Sequence, residues 1–391
     1  MKQEIRVLNR TLRWTDKGIE YEPDQRHAEI VIKQMELTHA NSVTTPGNTE
    51  AEADAELRDK SPLLTGEEAT QYRALAARLN YLALDRPDIQ FSAKEISKYM
   101  ATPRSMDWAR IARVARYLVG KPRYVQEFHW QELPSEVKVF TDSNWAGDRV
   151  TRKSTSGGTM FIGKHLVKSW SSTQAVIAIS SGEAELYALV RGAAQAAGLM
   201  SMMYDFGIQT SSRIYVDSVA ALGIASRVGL GKTRHISTQY LWIQEKVSKK
   251  ELDLEKVPTQ DNPADALTKY LKAETLLKHI EAMGGRLEEV RAKTALKLNR
   301  LQETNADHWV SQAECEEDTT WTRAHRKPRL CLFTPMKVAK GPLHGDDVGD
   351  VRVTIGKYVD GEEFFIADEW KRSEHPHEQM RTHWTGFTTF R

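Results

Sequence analysis

A mixed α/β sheet with helices packed on its faces is predicted for residues 136–275 of this 391-residue chain. Three observations predict it. Short β-prone runs (VKVFTD, GTMFIG, LVKSWSS, RIYVDS, LDLEKV) are interleaved with helical stretches. Their order is strand, hairpin, helix, strand. The longest helical stretch, SSGEAELYALVRGAAQAAGLMSMMYDFG, is rich in Ala and Leu, with serines ahead of it as caps and Gly207 as its stop.

The elements follow in chain order. Residues 1–37 read as a hairpin, IRVLNRTLRW and GIEYE around Asp16-Lys17-Gly18, then a helix DQRHAEIVIKQM with Asp24 as cap. Residues 38–68 turn to Thr, Asn, Glu and Ala around Pro46-Gly47 and read as a flexible linker. Residues 69–135 carry three helical segments, YRALAARLNYLAL, IQFSAKEISKYM and MDWARIARVARYLVG, the first with Leu75, Leu79 and Leu82 on one face. The third segment spaces Arg110, Arg113 and Arg116 three apart behind Arg104, either as a solvated face or as phosphate contacts, while Trp108, Ile111, Ala115 and Leu118 can face inward. Within the sheet region, RIYVDS leads to a short helix VAALGIAS, a helix HISTQYLWIQEKVSKK, the strand LDLEKV, the loop PTQDN and a helix starting near Pro263. Residues 276–304 read as a charged helix extending away from the domain, interrupted once at Gly284-Gly285. The tail, 305–391, carries a hairpin, VRVTIGKYV and EEFFIADEW around Asp360-Gly361, and no function is assigned to it.

Composition excludes some classes. Net charge is only +2, so a basic surface must be local. No stretch approaches the ~20 apolar residues of a membrane span, and MKQEIRVLNR lacks a signal-peptide core; an intracellular protein, cytoplasmic or nuclear, is expected. Cys315 and Cys331 lack metal-type spacing and read as free thiols. His375, His377 and His383 lie near one another without partner ligands at diagnostic spacing, so no metal site is expected there.

Chemistry concentrates in acidic residues. Asp142 and Asp217 end strands, Glu185 opens the long helix, and Asp265 lies in the first turn after the PTQDN loop. Carboxylates gathered from such positions repel one another unless cations join them, which would imply Mg²⁺, with Mn²⁺ as a substitute. Two ions would suit in-line attack on a phosphodiester. Acids at element ends also serve as caps and surface charge, and position alone leaves both readings open.

The motifs TDSNWAGDRVTRKSTSG, KSWSSTQAVIAISSGEAELYAL, YVDSVAAL, KTRHIS and VPTQDNPADALTKYL, collinear over about 130 residues, resemble those of Ty1/copia-type retrotransposon ribonucleases H. The resemblance implies a ribonuclease H-like mixed five-stranded sheet with flanking helices. It also implies a two-metal site on Asp142, Glu185, Asp217 and Asp265, serving as both catalytic and metal-binding residues. Glu183 competes with Glu185; helix geometry does not decide, and Glu185 is preferred because Glu-Leu-Tyr-Ala-Leu resembles the pattern around the family's catalytic Glu. Asn144, Gly182, Ser218 and Tyr270 depart from the family pattern without removing a ligand. The PTQDNPA loop lacks the His that many such enzymes use in product release, leaving His235 as a substitute or as a packing histidine.

The front of the chain, IRVLNRTLRWTDKGIEYEPDQRHAEIVI and YRALAARLNYLALDRPDIQFSAKEISKYM, resembles the end of the palm, the thumb-like region and the connection of copia-type reverse transcriptases. The Tyr-x-Asp-Asp motif of the polymerase is absent, so no polymerase activity is expected; integrase and protease motifs are absent too. The implied function is metal-dependent cleavage of the RNA strand of RNA:DNA hybrids, within a Pol polyprotein whose other parts are further partners. The alternatives are a non-catalytic nucleic-acid-binding remnant and a host-recruited interaction protein. Arg149, Arg152, Lys153, Ser154 and Thr155, in the loop after the first strand, are the expected phosphate contacts. Trp145 and Trp170 could stack on sugars or bases, but read better as core.

Overall fold

The computed structural model describes residues 4–48, 58, 60–229, 231, 235–298, 350–357 and 363–370. Two units separate along the chain, 1–314 and 315–391.

The chain opens with three strands, β1 (Glu4–Val7), β2 (Arg10–Thr15) and β3 (Gly18–Glu22), rather than one hairpin. The additional reversal is at Leu8-Asn9, both left-handed at φ 51° and 66°, the conformation of a tight two-residue hairpin turn. Asn tolerates that region and Leu does not, so the turn had only half its sequence signal. Helix α1 (Arg26–Gln34) follows, then α2 (Gly66–Ala83), α3 (Pro87–Ser97) and α4 (Trp108–Gly120). Their apolar stripes meet in one core that includes Val31, Tyr72, Leu79, Ile96, Ile111 and Leu118.

Two expectations are corrected here. Residues 38–48 are not a solvated linker: Arg116 Nε donates to Asn41 O at 2.8 Å, Arg113 Nη2 donates to Thr45 Oγ1 at 3.0 Å, and Pro46 and Gly47 are buried. Arg113 and Arg116 therefore hold this segment against α4. The stretch after 276 is not one charged helix either. It forms a helix, Ala273–Ala282, and after Gly284 (φ 76°) a strand, Gly285–Glu288. That strand pairs antiparallel with β4 (Arg123–His129), completing a sheet whose order places β4 between it and β3. The open edge of β4 offers a row of unpaired backbone groups, which pairing satisfies and a continued helix would leave exposed.

At the start of α3, Arg86 and Asp88 form a buried ion pair, 1% and 0% exposed, at 2.6 Å; Tyr117 Oη and Arg86 Nε also donate to the same carboxylate. Removing one partner strands the other charge in the core. Asp88→Ala is expected to cost about 3–5 kcal/mol of stability, measured by urea denaturation.

The second sheet contains β5 (Glu136–Asn144), β6 (Thr155–Ile162), β7 (His165–Thr173), β8 (Ser211–Val216) and β9 (Asp253–Lys256) in the order β7-β6-β5-β8-β9. The β5-β6-β7 meander is antiparallel, while β5, β8 and β9 run parallel. Helix α5 (Ser181–Asp205) crosses this sheet, and its Leu186, Leu189 and Ala193 meet Val137, Val139 and Ile214 in a second core. Gly192 sets the closeness of that crossing: a side chain there would meet Thr141 Cγ2 at 2.5 Å. Helices α6 (Val219–Ala225) and α7 (Trp242–Ser248) cover the β8-β9 side; α7 is shorter than the 235–250 helix expected. The segment after Pro263 is a tight 3-10 helix, Pro263–Leu267, leading into α8 (Ala273–Ala282) and β10 (Gly285–Glu288).

In the second unit, β11 (Asp350–Lys357) and β12 (Glu363–Trp370) pair antiparallel. The expected turn at Asp360-Gly361 lies outside the described residues, as do Cys315, Cys331 and the three tail histidines. Among the described residues, no helix is long and apolar enough to cross a membrane.

Candidate active site

Strand register brings the first two carboxylates together. Thr141 of β5 is paired with Val216 of β8, and the two strands are parallel, so Asp142 and Asp217 follow that pair side by side. Helix α5 lies across β5, and two turns before Gly192 it delivers Glu185 to the same end; Glu185 Oε1 accepts from Ser143 N and Ser143 Oγ, both at 3.0 Å. Ligand atoms of Asp142, Glu185 and Asp217 lie within 4.8 Å of one another.

The fourth carboxylate arrives from the other side. Asn262 is fully buried; its amide donates to Thr141 O at 2.9 Å, and its Oδ1 accepts from Ala264 N, so it caps the 3-10 helix and binds it to β5. Gly157, paired with Asp142 across the sheet, leaves room for Thr268, whose methyl a side chain at 157 would meet at 2.6 Å. Asp265 is thereby buried beside Asp142, outside the group of three, and is held by Lys269 Nζ at 2.9 Å. Thr268 Oγ1 donates to Asp142 Oδ2, and Asp217 Oδ2 accepts from Thr259 Oγ1 at 2.8 Å.

Burial and crowding set the electrostatics. Burial, then the neighbouring Asp265 charge, pushes Asp142 up to about 7; burial, then Asp142 and Asp217, pushes Glu185 up to about 9. Burial opposes the charge of Lys269, but Asp142, Asp265 and Asp217 outweigh it and hold the ammonium above its ordinary range. Glu185 Oε2 is buried with no hydrogen-bond partner among the described residues. Converging carboxylates, one with an orphaned buried oxygen, fit a divalent cation with oxygen ligands.

Glu183 has different work. Ser180 Oγ accepts from Glu183 N at 3.2 Å, and the Glu183 carboxylate takes Ile179 N at 3.0 Å, Tyr187 Oη at 2.5 Å and His235 Nε2 at 3.0 Å. Burial would raise this carboxyl, but those hydrogen bonds hold it below its usual range. The signal was in the sequence: Ser180-x-x-Glu183 is a capping-box spacing, which places Glu183 at the helix start facing backward. His235 is accordingly engaged with Glu183 rather than with the carboxylate group.

The expected phosphate-contact loop divides. Arg149 and Arg152 are exposed and Lys153 is partly so, while Lys98 Nζ anchors the loop through Asp148 at 2.8 Å. Ser154 and Thr155 are corrected: they are 0% and 4% exposed, Ser154 Oγ accepts from Ala146 N, and Thr155 Oγ1 accepts from Lys94 Nζ. Thr155 begins β6, a strand buried on both faces, and Ser154 immediately precedes it. Trp170 is core, but Trp145 is 45% exposed, with its Nε1 donating to Ala178 O at 3.0 Å. Asn262, Thr268 and Lys269 were missed as contributors to the site; all belong to the NPADALTKYL motif, but only tertiary contact reveals what they hold.

A five-stranded sheet of this order, with carboxylates from adjacent parallel strand ends and from the helix that crosses them, defines a ribonuclease H-like domain. No family model matches the chain. It is 31% identical over 251 residues to the retrovirus-related Pol polyprotein from transposon RE2 of Arabidopsis thaliana, covering 63% of this chain and 17% of that protein. It is 32% identical over 206 residues to the corresponding polyprotein from transposon RE1 of the same plant, covering 52% and 14%. A ribonuclease H1 from compost, LC11-RNase H1, aligns with 37% of this chain and 99% of its own at 17% identity and a TM-score of 0.26. The chain is thus similar to retrovirus-related Pol polyproteins of plant copia-type transposons and spans less than a fifth of the length of these two relatives.

Proposed function

We propose that this chain cleaves the RNA strand of RNA:DNA hybrids with the help of divalent cations held by Asp142, Glu185 and Asp217, with Asp265 beside them. The convergence of three ligand atoms within 4.8 Å at one sheet end carries the reading. When bound there, Mg²⁺ would supply Lewis-acid polarisation of the scissile phosphate and activation of the attacking water. The residues themselves orient the site: Ser143 fixes Glu185, Thr268 fixes Asp142, Thr259 fixes Asp217, and Lys269 offsets carboxylate charge from the solvent side. Arg149, Arg152 and Lys153 would meet backbone phosphates, which position a duplex without reading its sequence. The exposed ring of Trp145 would pack against a sugar.

The purified chain is expected to cut labelled RNA within a hybrid, leave duplex DNA intact, and stop when EDTA is added. Equal cutting of single-stranded RNA and hybrid would overturn the hybrid reading. Hybrid binding without cutting in Mg²⁺ or Mn²⁺ would overturn the catalytic one.

A further inference from the structure

A cavity of about 450 Å³ opens where helix α4 and the 46–48 turn meet the segment that follows Asp265. Arg110, Arg113 and Arg116 line it together with Asn48, Ser92 and Tyr270, and among the described residues no carboxylate does. Two donors point to a missing anion. Ser92 is 3% exposed and lines the cavity, yet its hydroxyl has no partner among the described residues. Arg113 binds Thr45 through Nη2, but its Nε–H is buried without an acceptor among the described residues. A buried hydroxyl and a guanidinium N–H both left unsatisfied are costly unless an acceptor enters. Guanidinium groups suit phosphate oxygens, which accept in the plane of their fork.

We propose that this cavity binds a backbone phosphate of the hybrid whose RNA strand the carboxylate group cuts, an assignment that rests on the proposed function. Chain connectivity limits the distance. Tyr270 follows Asp265 by five residues, which span at most about 18 Å when extended. At roughly 3.4 Å of rise per nucleotide, the phosphate lies within about five nucleotides of the cut. Arg113 and Arg116 thus have two roles: they tie down residues 41–45 through Nη2 and Nε respectively, and they line the cavity. Tyr270 supplies the wall, its ring edge-on to Phe91 at 4.8 Å.

The test uses the full chain in Ca²⁺ and fluorescence anisotropy with a labelled hybrid. Arg113→Gln is expected to weaken binding five- to tenfold and to lower the magnitude of the log–log salt slope by roughly 0.7–0.9, one phosphate contact. Because Arg113 also holds Thr45, Ser92→Ala is the cleaner variant. It removes a hydroxyl with no partner among the described residues, so its melting temperature should equal or exceed that of the parent while hybrid affinity falls about threefold. Hybrids carrying a single methylphosphonate, scanned along both strands, should show one position within about five nucleotides of the cut whose neutralisation weakens the parent but not Arg113→Gln. Unchanged affinity and slope in both variants would overturn the proposal and leave the cleavage reading standing. Inorganic phosphate that raises the melting temperature of the parent but not of Ser92→Ala, with hybrid binding equal in all three proteins, would assign the cavity to free phosphate and overturn the backbone source. A parent chain that binds no hybrid would defeat the proposed function and the backbone source together.

Discussion

Asp142→Asn is expected to reduce cleavage of the RNA strand by at least about a thousandfold while changing hybrid affinity in Ca²⁺ by no more than a few fold. Asp142 lies at the centre of the site, between Glu185 and Asp217 on one side and Asp265 on the other, and Thr268 Oγ1 fixes its carboxylate. An amide keeps the shape and one acceptor oxygen but loses the charge that would hold cations in register. Preorganised electrostatic stabilisation of this kind is worth several kcal/mol at the transition state, and a thousandfold is about 4 kcal/mol. Affinity should survive because, on the proposed function, phosphate contacts would be spread over Arg149, Arg152, Lys153 and the rest of the surface. Gel quantification of product against anisotropy of the same hybrid checks both halves; near-parental cutting by Asp142→Asn would overturn the assignment at its centre.

Glu185→Gln and Glu183→Gln should part company in both activity and stability. Glu185→Gln is expected to lose cleavage to a similar extent, yet to raise the melting temperature of the metal-free protein at pH 8. The sign follows from linkage. Asp142 and Glu185 titrate in the folded protein at about 7 and about 9, above the roughly 4 of an unfolded chain. Their contribution is therefore fully present below pH 4 and is lost as pH rises through 7 and then 9, by an amount on the order of several kcal/mol. Metal-free parent protein should melt progressively lower from pH 5 to pH 9. Mg²⁺ should raise its melting temperature more at pH 8, where binding displaces fewer protons, than at pH 5.5. Glutamine at 185 removes much of both effects. Glu183→Gln, by contrast, should keep most activity and the Mg²⁺ response but lose about 1 kcal/mol, because it weakens the cap on α5 and the contacts to Tyr187 and His235. Calorimetric scans across pH, with and without Mg²⁺, read these outcomes. A metal-free melting temperature that rises between pH 5 and 9 would show that the carboxylates are not crowded as described.

What the sequence determined by itself was local and periodic. Short β-prone runs marked β5 to β9, an Ala- and Leu-rich run with serine and glycine at its ends marked α5, and the positions of Asp142, Glu185, Asp217 and Asp265 near element ends were legible from residue propensity and capping chemistry. Long-range pairing was not. Residues 285–288 carry enough charge to read as helix, and they become a strand only because β4 presents an unpaired edge 160 residues earlier in the chain. Arg113 and Arg116 look like a solvated row until the 41–45 segment is seen folded against them. Ser154 and Thr155 look like loop residues until Ser154 is seen accepting from Ala146 N and Thr155 opening a strand buried on both faces. The choice between Glu183 and Glu185 shows the boundary most sharply. The capping spacing before Glu183 was local and readable, but that Glu185 meets Ser143 depended on Gly192 letting α5 approach β5, a contact between residues some fifty positions apart. Secondary structure is set by nearest-neighbour sterics and solvent exposure, which a sequence displays; a carboxylate site is set by where distant elements stop against one another, which only close packing decides.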